Sequence, residues 1–283
     1  MAKEIQISGP VTTILAELDR SAAADTANAR RRSRAGWGIA ASIVGLIIGF
    51  VCAVPLPPLG GILIMLAPVA LIVSLVCYIR CRRRDFEDRK RDIARQFFAV
   101  LAQDIPRQAR CQVRLNGDGF EKHGQVVEQT GGLLSSLKTI SYEDPWGLLA
   151  GRLYDGSAFK VTLTQRVKRK SKAKRSYTKI RERHQEKVSL ALRLDETTYP
   201  GLAQLPAQLQ GSSVDGLNIT QAEVAGNILR VAAVTGVVPR FRGRSGWSDF
   251  DAQGLVTGQR LLDLLVFIYS KLATVRGGSV QPS

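Results

Sequence analysis

The chain has 283 residues, enough for one or two domains, and 40 Lys and Arg against 24 Asp and Glu leave a net charge of +16. That basic excess favours anionic partners such as lipid head groups or nucleic acid. Four cysteines without a Cys-x-x-Cys and two widely separated histidines set aside a metal site built on those ligands, so the thiols read as free apolar side chains in a reducing compartment.

Residues 1–36 read as an N-terminal amphipathic helical arm. Val11, Ile14, Leu15 and Leu18 recur at helical spacing and an alanine-rich stretch follows. Beyond Ala22 only alanines and arginines continue the stripe, so the arm must lean on another element.

Residues 37–79 hold two apolar runs, 37–54 and 59–79, with no charge between Trp37 and Ile79. Each approaches the roughly 20 residues that a helix needs to cross about 30 Å of hydrocarbon. Inside lipid the backbone must satisfy its own hydrogen bonds, which makes two helices the simplest reading. Pro55, Pro57 and Pro58 confine the reversal between them to a tight turn. A core hairpin of a soluble protein seldom has two charge-free runs this long, and a cleaved signal peptide would not be followed directly by a second span. Arg30, Arg31, Arg32 and Arg34 before the first run, with Arg80, Arg82, Arg83 and Arg84 after the second, are topogenic and predict both termini on the cytoplasmic side of a plasma or inner membrane.

Residues 80–105 continue the pattern. Phe86, Ile93, Phe97, Val100 and Leu101 mark one apolar face opposite alternating acids and arginines, which predicts that the second apolar helix runs on as a juxtamembrane helix. The mixed charge argues against a helix lying on lipid. An arm over 80–104 would match the one over 10–34 in length, and the two are expected to pair before Pro106 ends the helix.

Residues 106–276 read as a cytoplasmic α+β domain. Cys111 to Leu115 alternates with period two and Asn116-Gly117 has the chemistry of a hairpin turn. Further strands are expected over 124–129, 133–140 and 148–154, then Asp155-Gly156 signals a second hairpin. Trp146 reads as a core or sheet-edge aromatic rather than a ligand platform. Phe159, Val161 and Leu163 begin one apolar ladder, and Val188, Leu190, Leu192 and Leu194 form another.

Between those ladders, residues 166–187 carry eleven Lys or Arg and only Glu182 and Glu186 as acids. So charged a segment cannot bury itself, which leaves a long β-hairpin with a projecting tip or a disordered loop. Arg166, Lys168, Arg169, Lys170, Lys172, Lys174, Arg175, Lys179, Arg181 and Arg183 are its candidate residues for binding an anionic partner. Residues 197–213 read as loop, and 220–234 as a helix with Thr220 as N-cap and Glu223 completing a capping box. Residues 240–247 form a second basic loop, 258–275 a core helix too short to span, and 277–283 a disordered tail.

No stretch carries a family motif. There is no phosphate-cradling Gly-rich loop, Gly117-Asp118-Gly119 lacks the third glycine of a dinucleotide fingerprint, and Asp249-Phe250-Asp251 lacks the rest of a calcium loop. No catalytic residue, cofactor or metal is implied. The expected fold is an α+β membrane protein: a two-helix transmembrane hairpin with cytoplasmic helical extensions, then a β-rich domain with C-terminal helices. The expected function is a non-enzymatic scaffold or adaptor engaging anionic lipid, a membrane-associated polyanion or an acidic protein surface, with a homo-oligomer open. The alternatives are a membrane-anchored nucleic-acid-binding protein, disfavoured because Tyr177 stands alone as a stacking platform, and an enzyme whose site only folding would assemble.

Overall fold

The chain begins with a strand, not a helix: Ile5 and Ile7 alternate with polar residues in β1 (Glu4–Gly9), which lies at a sheet edge. The computed structural model describes residues 4–277 except 53, 54, 56, 85, 86, 132–136, 196, 197, 200, 244, 245 and 249. Helix and strand are both abundant, at 44% and 37%. Two units form, one of Met1–Leu18 with Asp88–Ser283 and the other of Asp19–Glu87.

The smaller unit is a helical hairpin. It comprises most of α1 (Val11–Cys52) together with α2 (Pro57–Arg84), whose first residue is the proline that a helix start tolerates best. Both helices are long and apolar enough to cross a membrane. Their apolar side chains face outward: Trp37, Phe50, Met65 and Val73 are all exposed. The two run antiparallel with close approaches at glycine. A Cβ on Gly38 would stand 2.6 Å from Ser74 Oγ, and one on Gly49 would stand 3.0 Å from Leu63 Cβ. The Asn28 side-chain amide donates to the Cys81 carbonyl at 2.9 Å, joining the helices where the apolar run gives way to charge.

The expected continuous juxtamembrane helix is broken. α2 ends at Arg84, Glu87 is not helical, and a new helix, α3 (Asp88–Leu101), begins beyond it; Phe86 lies outside the described residues. Asp88 in the first turn of α3 gives that helix its own favourable start. Leu18 and Phe97, on the apolar faces of the two arms, are both buried in the larger unit, as are Val11 and Ile14 in the first turns of α1.

The rest of the larger unit is an antiparallel sheet with helices on one face. After α3 come β2 (Cys111–Asn116), the single turn α4 (Phe120–His123), and β3 (Gln125–Thr130). Three 16-residue strands follow as a meander: β4 (Leu137–Arg152), β5 (Ala158–Ala173) and β6 (Thr178–Arg193). A short helix α5 (Leu205–Leu209) precedes β7 (Ser213–Val214), β8 (Leu217–Ala225), β9 (Ile228–Thr235), β10 (Val238–Gly243) and β11 (Gly246–Trp247). The chain closes with α6 (Gly258–Gly277). The order β1-β2-β4-β5-β6-β9-β8-β7 describes the root of the sheet. Further out, β3 flanks β4 and the β10–β11 pair flanks β6, so the long meander has neighbours along most of its roughly 50 Å.

The core lies between the root of the sheet and the helices. Phe97 and Phe98 of α3 meet Phe159 of β5, with Phe97 edge-on to each at ring separations of 5.6 and 5.7 Å. Leu261, Leu264, Leu265, Ile268 and Leu272 bury one side of α6, as the sequence pattern of 258–275 requires. Trp146 is buried, with the cations of Arg89 and Lys90 within 6 Å of its ring.

Several sequence expectations give way to topology. Residues 220–234 are not a helix but the β8–β9 hairpin, and with it goes the expectation of more than one C-terminal helix. The decisive local signal is Gly226-Asn227: Ala225 pairs with Ile228, and Gly226 takes the positive φ of 57° that the first residue of such a two-residue turn demands. Asn116-Gly117 is not a hairpin turn, because β2 pairs with β1 and β4 rather than with the strand that follows it. There Asn116 Oδ1 accepts from the Asp118 N–H, and the buried Lys90 ammonium donates to the carbonyls of Asn116 and Asp118. The separate strands expected over 133–140 and 148–154 are one strand from Leu137, carried past Pro145 by a register shift between Pro145 and Gly147; residues 133–136 lie outside the described set.

Candidate anion-binding surface

The basic segment is an ordered β-hairpin. β5 and β6 pair without a break from Ala158↔Arg193 to Ala173↔Thr178, leaving a turn of four residues that includes Lys174 and Arg175, both exposed. Because side chains alternate across a strand, the segment divides into two chemically different faces.

On the outer face three successive cross-strand pairs join like charges: Lys168↔Arg183, Lys170↔Arg181 and Lys172↔Lys179. Opposed residues in an antiparallel ladder have Cβ atoms about 5 Å apart, and successive rows on one face repeat at about 6.7 Å. Like charges so opposed destabilise a sheet. None of the six pairs with a carboxylate among the described residues. Arg166, one row nearer the root, differs from them in pairing with Glu143 on β4 at 3.2 Å.

The inner face does the opposite. Arg169 points inward, its guanidinium engaged by Glu121 and Glu182 and lying 5.2 Å from the centre of the Phe120 ring. Burial alone would lower the pKa of Arg169, but the hydrogen bonds it donates to those two carboxylates outweigh it and keep the group firmly charged. Burial likewise pushes the Glu182 carboxyl upward, and hydrogen bonds from His184 and Arg169 reverse the shift and hold it below the ordinary carboxylate value. His184 lies 3.1 Å from Glu182 through Nε2 and is boxed edge-on by Phe120 and Phe250. Two residues further on, buried Glu186 receives the fork of Arg89 from α3 and the Val256 N–H. These contacts fix the register of β6 and hence the positions of the outer cations.

Of the ten residues the sequence suggests for anion binding, six form the outer ladder. Lys174 and Arg175 occupy the tip, Arg166 is neutralised on the outer face, and Arg169 belongs to the buried network. Of the arginines expected to set topology, Arg30, Arg31, Arg32 and Arg34 lie on α1, and Arg80, Arg82, Arg83 and Arg84 on α2.

Sequence reading did not find what borders the ladder. Leu137 on β4 stands opposite Lys172, and Phe241 on β10 stands opposite Arg181; they are 49% and 45% exposed. Towards the root, Val127 and Val237 are exposed on either side of a shallow open cavity of about 480 Å³ whose polar lining includes Arg166, Lys168 and Arg183. The signal for Phe241 was present: the basic stretch 240–247 alternates, so that Arg240 and Arg242 point inward and stack on Trp247 while Phe241 points out. Residues 244 and 245 of that stretch, and Asp249 of the calcium-like run, lie outside the described residues.

No protein-family model matches this chain, and no curated protein or solved structure matches it significantly.

Proposed function

We propose that the chain is a two-pass membrane protein with both termini in the cytoplasm. Its β-rich domain serves as a non-enzymatic scaffold or adaptor, engaging an anionic partner through the outer face of the β5–β6 hairpin. The partner class is lipid head groups or a membrane-associated polyanion. Support for the membrane placement comes from two charge-free runs whose side chains face outward in helices, bracketed by arginines on the two sides remote from the turn.

One observation carries the binding function, and it is the like-charged ladder of three cross-strand pairs. Six cations on a sheet held in register by buried ion pairs repel one another until an external anion compensates them. A mobile solvated loop would instead spread such charges apart.

The test uses the full chain in nanodiscs of phosphatidylcholine, titrated with anionic vesicles and with soluble polyanions. Binding to at least one should be strong at low ionic strength and weaken steeply with salt. A variant with Lys168, Lys170, Lys172, Lys179, Arg181 and Arg183 all changed to Gln should lose it. If wild type and variant bind alike, the ladder is not the interface.

A further inference from the structure

The outer face of the hairpin is not uniformly charged, and its pattern distinguishes between classes of polyanion. Read across the strands, one row runs Thr139, Lys170, Arg181, Phe241 and the next runs Leu137, Lys172, Lys179. The cations thus form a central stripe with an exposed apolar side chain at either margin. Val127 and Val237 repeat the arrangement towards the root, flanking the cavity that Lys168 and Arg183 line.

Resting on the proposed function, we infer that this face docks flat on an anionic phospholipid leaflet. The Lys168, Lys170, Lys172, Lys179, Arg181 and Arg183 stripe meets the lipid phosphates, and Leu137 and Phe241 enter the boundary between head groups and acyl chains. Cationic and apolar groups side by side on one surface are what an interfacial lipid site combines. Single-stranded nucleic acid would require a succession of aromatic platforms along the groove. Among the described residues the strands of this face offer Phe241 alone, with Tyr177 off in the turn, while Leu137, Val127 and Val237 have no ring on which a base could stack. Among the described residues, the acids of this face nearest the stripe, Glu143 and Glu128, are both on the β3–β4 margin, and each already has a partner in Arg166 or Ser141; Glu223 lies further off on β8, paired with Arg230. The centre of the stripe is therefore open to phosphate. The chain also carries two helices apolar enough to cross a bilayer, so a leaflet is the anionic surface its domain meets at the highest local concentration.

The full chain, reconstituted in phosphatidylcholine nanodiscs so that its own disc offers no net anionic charge, is mixed with separate phosphatidylglycerol-rich vesicles and floated. A single-stranded oligonucleotide and inorganic polyphosphate serve as soluble competitors in parallel assays. Flotation with anionic but not neutral vesicles is expected. K170Q/K172Q/R181Q should weaken vesicle binding about a hundredfold. L137S/F241S should weaken it about tenfold while leaving polyphosphate binding unchanged, since those residues touch acyl chains and not phosphate. F241W adds a readout independent of affinity: relative to the parent protein, the new indole should be quenched by lipids brominated high in the acyl chain. Tighter binding to oligonucleotide than to vesicles, vesicle binding indifferent to L137S/F241S, or an unquenched F241W would each overturn the lipid assignment while sparing the anionic-partner reading. Failure to bind any polyanion at low salt would remove both.

Discussion

Glu182 illustrates how one buried carboxylate holds a charged surface in place. It is 1% exposed and accepts hydrogen bonds from Arg169 and His184, so its negative charge fixes the one hairpin arginine that does not face outward. Its folded-state pKa is depressed, so its contribution to stability is present above the unfolded value of about 4.3 and is lost as pH falls through the folded one. Thermal unfolding of the full chain in neutral detergent should thus show a midpoint insensitive to Glu182 ionisation near neutrality that drops on acidification below about pH 4. Glu182→Gln should lower the midpoint at pH 7 and flatten that acid limb. An acid limb of the same depth in the variant would show that other carboxylates govern it. Residue identity alone told that 166–187 was basic. Which of its arginines were neutralised depended on residues outside the segment: Glu121, 48 positions before Arg169 in the chain, and Glu143, which pairs with Arg166.

Among the elements, turns were the most informative signals and also the most easily misread. Asp155-Gly156 does join two strands, and Gly156 has a φ of 84°. Asp215-Gly216 does so more tightly, both residues at positive φ between paired Val214 and Leu217, as the primed turn of a two-residue hairpin requires. In 220–234 the capping-box pattern points to a helix while Gly226-Asn227 joins two strands, because apolar residues there fit either a helical or an alternating period and propensity does not arbitrate. The strand reading makes a direct prediction. Gly226 has open space around its Cα but a φ of 57°, so Gly226→Ala should destabilise through backbone conformation alone, by about 1 kcal/mol in denaturant unfolding. A neutral substitution would mean that the turn relaxes out of the left-handed region. Pro145 does not end β4 either: a register shift in the strand admits it between two long paired segments.

For the whole molecule, the arginines bracketing residues 37–79 make the membrane topology testable. A cysteine introduced in the turn as Pro55→Cys should react with an impermeant maleimide in intact cells, whereas Arg175→Cys at the hairpin tip should react only after the membrane is opened. Labelling of the tip in intact cells would invert the assignment. The sequence by itself determined the two apolar helices and their reversal, because length, absence of charge and proline are local properties that no distant contact can undo. It also determined that 166–187 is strongly basic and that 258–275 packs into a core, since each follows from composition and period alone, but not that Val167, Glu182, His184 and Glu186 would be buried on one face of that basic segment. Only the tertiary structure decided that the basic segment is a rigid ladder with one inward arginine. It alone showed that β1 closes a sheet edge from the far end of the chain, and that Leu137 and Phe241 border the cations. Strand register and strand neighbours are set by contacts between residues far apart in sequence, and those contacts leave no periodic mark within any single segment.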